Sequence, residues 1–200
     1  MLEIIAFCCG ALVMVLEMVG ARVLAPHVGT SAVVWTSLIG VVLACLAVGA
    51  WLGGRLADRH LSRRGLAFIL TGASLGSALA AGTHRLVGEA LSVAITDIHL
   101  AAVACALGIL ALPALCCGMI SPYIIRLRIR DVATSGATVG RLYALSTAGS
   151  IVGTFLGGFV LISFFASGTI LWGVALGPCP AGRLLLEPFR HGGYAGRMER

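Results

Sequence analysis

Glu17 is the residue in this chain whose position most demands a chemical reason. It lies near the middle of an apolar run that extends from Ile4 to about Ala25. A carboxylate in such a run is costly unless it is paired, protonated or turned toward a cavity. Two readings follow: a proton or cation site, or a structural carboxyl that is protonated or hydrogen-bonded. Arg22 follows in the same run. At 100° per residue it projects about 140° away from Glu17 around a helix axis. The two are therefore no natural pair within one helix, and Arg22 has the reach to snorkel outward. Gly10, Val13, Gly20 and Ala21 share the Glu17 face, which implies a close helix contact there.

Other chemistry-bearing patterns are missing. The chain has no G-x-S-x-G, no H-E-x-x-H and no P-loop. The five histidines are scattered, with none at i, i+4. Of seven cysteines, Cys8, Cys9, Cys45, Cys105, Cys116 and Cys117 fall inside apolar runs. None forms Cys-x-x-Cys or a zinc-type Cys/His spacing, so they read as small packing residues. The sequence predicts no enzyme, no metal site and no cofactor.

The elements that position Glu17 and Arg22 follow from composition. The chain has 200 residues, of which 59% are hydrophobic and 11% charged, against about 25% charged in a soluble domain. Mean hydropathy is +1.03. Such a chain cannot cover a water-facing surface. The continuous apolar runs also differ from the alternating pattern of a β-barrel. The class is an all-α, polytopic transmembrane helix bundle. The net charge of +6 comes from arginine alone. In this setting it marks cytoplasmic loops rather than nucleic-acid binding.

Five runs are long enough, or nearly so, to cross a hydrocarbon core of about 30 Å. They are Ile4 to Ala25, Ser31 to Gly54, Gly65 to Ala81, His99 to Ile120 (closed by Ser121-Pro122), and a fifth starting near Leu142. The second loop carries Arg55, Arg59, Arg63 and Arg64, and the fourth carries Arg126, Arg128, Arg130 and Arg141. The first and third carry only Arg22 and Arg85. The positive-inside bias then places the N-terminus in the cytoplasm of a cell whose inner membrane the chain spans. Trp35, Trp51, Tyr123 and Tyr143 are expected at headgroup depth. Between residues 82 and 98, Leu86, Val87, Ala90, Leu91, Ala94 and Ile95 recur at helical spacing. They predict either an amphipathic helix on the outer surface or a helical cap on the bundle.

From Leu142 to Gly177 the chain is apolar, too long for one span and marginal for two. Ser163, Ser167 and Gly168 mark the expected break. The sixth span, from Thr169, stops short at Gly177-Pro178-Cys179-Pro180. The expected organisation is a membrane domain over 1–177 and a poorly ordered basic cytoplasmic tail over 178–200. That tail is either native or the product of a truncated or frame-disturbed end.

Small residues recur at four-residue spacing: Gly49 and Gly53; Gly72, Gly76 and Ala80; Gly149, Gly153 and Gly157. In lipid such faces let backbones approach and gain van der Waals contact. They serve tight packing or a sliding surface. Gly54-Arg55-Leu56-Ala57-Asp58-Arg59 resembles the cytoplasmic loop signature G-x-L-A-D-R-x-G-R-R of the major facilitator superfamily, with Leu61 and Ser62 standing where that pattern has Gly and Arg. The fold is thus expected to be partly major-facilitator-like, with Gly54, Asp58 and Arg59 in a cytoplasmic loop. There Asp58 would cap a helix or pair with an arginine across the bundle.

Longer stretches resemble the membrane domain of bacterial spermidine synthase-like proteins, also described as fused transporter/spermidine synthase proteins. The carrying residues are Glu17 through Pro26, Gly29-Thr30-Ser31 through Trp35 to Gly40, and Gly49 through Arg59. Leu112-Pro113, Gly118 through Pro122 and Gly140 through Ser150 complete the set. The likeness covers about residues 1–175, with Ser146 in place of the family's usual Asn. The aminopropyltransferase domain that often follows in that family is lacking here, so its activity is not implied. The resemblance implies a transporter-like, non-catalytic membrane domain. Glu17 would be the anionic partner of a small cationic solute such as a polyamine. The alternative is a structural anchor or subunit, docking a homo-oligomeric copy or a partner membrane subunit through its glycine faces. Beyond the lipid bilayer and these, no partner is expected, and no nucleic acid.

Overall fold

The computed structural model describes residues 2–129 and 135–177. Among them there is no strand. Five helices are long and apolar enough to cross a membrane, the architecture of a multi-pass integral membrane protein. They are α1 (Leu2–Val28), α2 (Ala32–Arg59), α3 (Arg63–Ala94), α4 (Ile98–Arg128) and a fifth beginning as α5 (Ser135–Phe155). The fifth continues through a π-helical turn at Leu156–Leu161 into the short α6 (Ile162–Phe164). After a break comes α7 (Ser167–Leu176), ten residues long. At 1.5 Å per residue this sixth helix reaches only about half of a bilayer core.

Local chemistry sets the turns. Gly29 closes α1 at φ +81°, its N–H on the Ala25 carbonyl at 3.0 Å, a left-handed stop that favours glycine. Ser62 caps α3 through Oγ, which accepts from the Gly65 N–H at 2.9 Å. Asp97 caps α4, accepting from the His99 and Leu100 N–H groups at 2.9 and 3.0 Å. The fifth span breaks where Phe165 and Ala166 take extended conformations, ψ 148° and 145°, between the Ser163 and Ser167 expected to flank it.

The bundle is centred on α1 and α4. The most extensive pairings are α2 with α4, α1 with α5, and α3 with α4. One buried cluster joins Leu16, Val19, Leu38, Leu110 and Leu171. A second, toward the N-terminal end of α1, joins Ile5, Leu66, Leu70, Ile120 and Tyr123. Apolar side chains such as Phe68, Leu86, Tyr143 and Phe159 stay at least 70% exposed, as a lipid-facing surface requires.

Several sequence expectations need correction. Gly54, Asp58 and Arg59 are not in a loop: α2 runs on through Arg59, and the connection is His60 to Ser62. A charged side chain can leave the apolar zone without the backbone leaving the helix, whose hydrogen bonds stay satisfied. Residues 82–94 are no separate surface helix, because α3 runs unbroken to Ala94, about 48 Å at 1.5 Å per residue. Val87 and Leu91 pack against the core, closer to the expected cap than to a helix lying on the membrane. Ser121-Pro122 does not end α4, which passes through both Pro113 and Pro122 to Arg128. Neighbouring helices accommodate such prolines in lipid. Here Gly76 of α3 leaves room for the Pro113 backbone, which a Cβ would approach to 3.1 Å. Tyr123 is fully buried, its ring packed inside the bundle. The basic tail, 178–200, lies outside the described residues.

Candidate functional site

The helix α1 carries both intramembrane charges, and the fold treats them differently. Glu17 is half-buried. It lies three residues before Gly20, which packs against Leu110 of α4 and Leu38 of α2. Among the described residues its carboxylate has no hydrogen-bond or ion-pair partner. The other described acids toward the N-terminal end of α1 are paired. Glu3 faces Arg141 at 3.1 Å and Arg128 at 3.9 Å, and Asp58 faces Arg126 at 3.2 Å. Glu17 and Arg22 are not brought together. Arg22 donates to the carbonyl of Ile162, the first residue of α6.

That bond explains how the break in the fifth span is held. Phe165 N–H returns to Leu161, but the chain is extended by Ala166, so the Ile162 carbonyl loses its helical donor. A guanidinium from α1 supplies one. Sequence reasoning placed Arg22 outward, and it is exposed, but its partner lies 140 residues away in the chain and carries no side-chain signal.

The glycines named from spacing are packing positions inside the chain. A Cβ on Gly149 or Gly153 would run into the backbone of Phe7 or Ala11 in α1. Gly10 faces the Ser146 backbone in the same way, and Ser150 Oγ lies 3.2 Å from the Gly10 carbonyl, to which it donates. Gly157 is looser, a Cβ standing 3.6 Å from Val15. Gly49 and Gly53 meet α4 at Leu115 and Met119. Gly72 lies beside Cys116, a Cβ standing 3.4 Å from its Sγ. Gly136 and Gly140 of α5 are different, with open space where a Cβ would stand.

The loop motif is tied down by a residue that the sequence did not single out for this. The Tyr123 hydroxyl accepts from the Ser62 N–H at 3.1 Å and donates to the His60 carbonyl at 2.8 Å, with the Ser62 carbonyl at 3.0 Å as a second acceptor. Arg126 reaches Asp58 three residues further along α4. Arg55 stacks over Trp51 at 3.9 Å.

No group of three or more metal-ligating side chains gathers among the described residues. A polar cavity of about 380 Å³ opens beside Arg22, between the end of α1, the second half of α3 and the start of α7. A larger groove of about 760 Å³, mostly apolar, lies between α2 and α4. Neither includes Glu17.

Comparison of the chain with protein-family models, curated proteins and solved structures finds no match.

Proposed function

We propose that this membrane domain binds or passes a small cationic solute such as a polyamine, with Glu17 as its anionic partner. One observation carries the reading: Glu17 sits in the middle of a span and, among the described residues, has no partner, while Glu3 and Asp58 are ion-paired. An unpaired carboxylate in a span is expensive to keep unless something cationic, a proton included, meets it. The likeness to spermidine synthase-like membrane domains, on the residues quoted above, favours a polyamine. In this reading the basic end of the bundle, with Arg55, Arg126 and Arg141, faces the cytoplasm.

The test is uptake of labelled spermidine by proteoliposomes containing the full chain. Glu17→Gln abolishes uptake if the carboxylate meets the solute. Uptake unchanged by the substitution removes Glu17 from the mechanism.

A second reading, an anchor or subunit, draws on α5. Its faces at Gly149 and Gly153 are filled by α1, but Gly136 and Gly140 are open toward the outside of the bundle. A docking helix would use these. No uptake by a folded wild-type chain, together with cross-linking through Gly140→Cys, favours this reading.

A further inference from the structure

The polar cavity beside Arg22 belongs to neither reading. Arg22 and His27 enter it from the last turns of α1, and His84, Arg85 and Glu89 from α3. Its remaining wall is the break at Ala166 and the first residues of α7. Its volume of about 380 Å³ falls in the range of sites for small organic ligands. It lies at the end of the bundle opposite Glu3, near the headgroup depth of a membrane-embedded chain.

We propose that this cavity is an anion site for a phosphate-bearing group. Two guanidiniums face one carboxylate, so the fixed charge is positive. Arg85 is exposed and, among the described residues, makes no hydrogen bond or ion pair, so its planar fork of donors is available to an oxyanion. Arg22 spends one donor on Ile162 and keeps the rest of its fork. His84 places Nδ1 2.9 Å from the Ala81 carbonyl; with the proton on that nitrogen, Nε2 of the neutral ring is an acceptor, suited to the hydroxyl of a phosphate monoester rather than to its oxyanion. His27 is wedged against Gly88, where a Cβ would collide with the ring, so its position is fixed by packing. The start of α7 adds to this field. Ala166 has no capping side chain and the first helical return is Ile170 N–H to Ala166, leaving earlier N–H groups at the cavity wall. Arginines and backbone donors converging on one cavity suit a phosphate monoester or diester. The source is either a soluble phosphate compound or a lipid headgroup.

The experiment uses the purified full chain. In one arm, glycerol 3-phosphate is titrated into the protein in detergent by calorimetry. In the other, native mass spectrometry compares retention of phosphatidylglycerol with that of phosphatidylcholine. Saturable binding is expected in at least one arm. Binding in the first assigns a soluble ligand, and selective retention in the second alone assigns the headgroup. Arg85→Gln weakens binding at least tenfold. Glu89→Gln, which removes a like charge, strengthens it several-fold. Both side chains are exposed and have no partner among the described residues, so a thermal melt confirms that the variants fold. Glu17→Gln leaves this binding unchanged, which separates the site from the proposed cation site. No saturable binding in either arm, indifference to both substitutions, or effects of the opposite sign overturns the proposal.

Discussion

The guanidinium of Arg22 in α1 holds the carbonyl of Ile162 at the point where the fifth span breaks. An intramembrane cation and an interrupted helix thus satisfy each other. Arg22→Met keeps the length of the side chain and removes every donor. It should destabilise the bundle by about 1.5–3 kcal/mol, the range for a hydrogen bond to a charged group. Arg22→Lys should recover part of the loss. Thermal unfolding in detergent micelles checks the order wild type, Lys, Met. Equal stability of all three would show that the bond contributes nothing.

Tyr123→Phe should loosen the turn between α2 and α3. The hydroxyl serves both Ser62 N–H and the His60 carbonyl, and the ring is fully buried. The ring packing survives the substitution, so the loss is about 1–3 kcal/mol for the unsatisfied backbone groups. By contrast, Asp58→Asn breaks an exposed ion pair with Arg126 and should cost less than about 1 kcal/mol. Unfolding of the two variants side by side tests whether the tyrosine or the ion pair fixes this end.

The number of spans was legible because apolar run length is a direct consequence of bilayer thickness. The break near Ser163 and Ser167 was legible because one apolar stretch exceeded that length. Helix ends were less so. Arg59 and Arg128 end their helices well beyond the apolar runs, since a polar side chain outside the hydrocarbon costs the helix nothing. Glu17 could be singled out from sequence because its cost is local. The Arg22 bond to Ile162 and the Tyr123 clasp could not, because each ends on a backbone group distant in sequence.

Asp97 gives a pH signature. Its carboxylate accepts the Leu100 and His99 N–H groups, and these bonds, the one from Leu100 foremost, hold its pKa below the ordinary value of 3.8. A depressed pKa in the folded state contributes stability that is present above the unfolded value and lost as pH falls through the folded one. Asp97→Ala should therefore lower the melting temperature at pH 6. The gap from wild type should close as the pH is taken below 3.8. A gap independent of pH would mean that the cap acts without its charge.

The glycines of α5 test how far spacing specifies packing. Gly140 and Gly149 lie nine residues apart, about 180° around the axis at 100° per residue. Both belong to small-residue rows, but they point to opposite faces. A Cβ on Gly149 meets the Phe7 backbone, while one on Gly140 meets nothing within 4 Å. Gly149→Ala must push α5 from α1, and the Ser150 bond to Gly10 at 3.2 Å goes with it. The expected loss is about 1–3 kcal/mol, as for overpacking elsewhere. Gly140→Ala should be neutral or stabilising by up to about 1 kcal/mol, since alanine is the better helix former. If Gly140→Ala proved the more damaging of the two in the isolated chain, the outward face of α5 would have to be packed and the α1–α5 seam assigned wrongly. If it were harmless alone but abolished self-association in lipid, that face would be where a second helix seats.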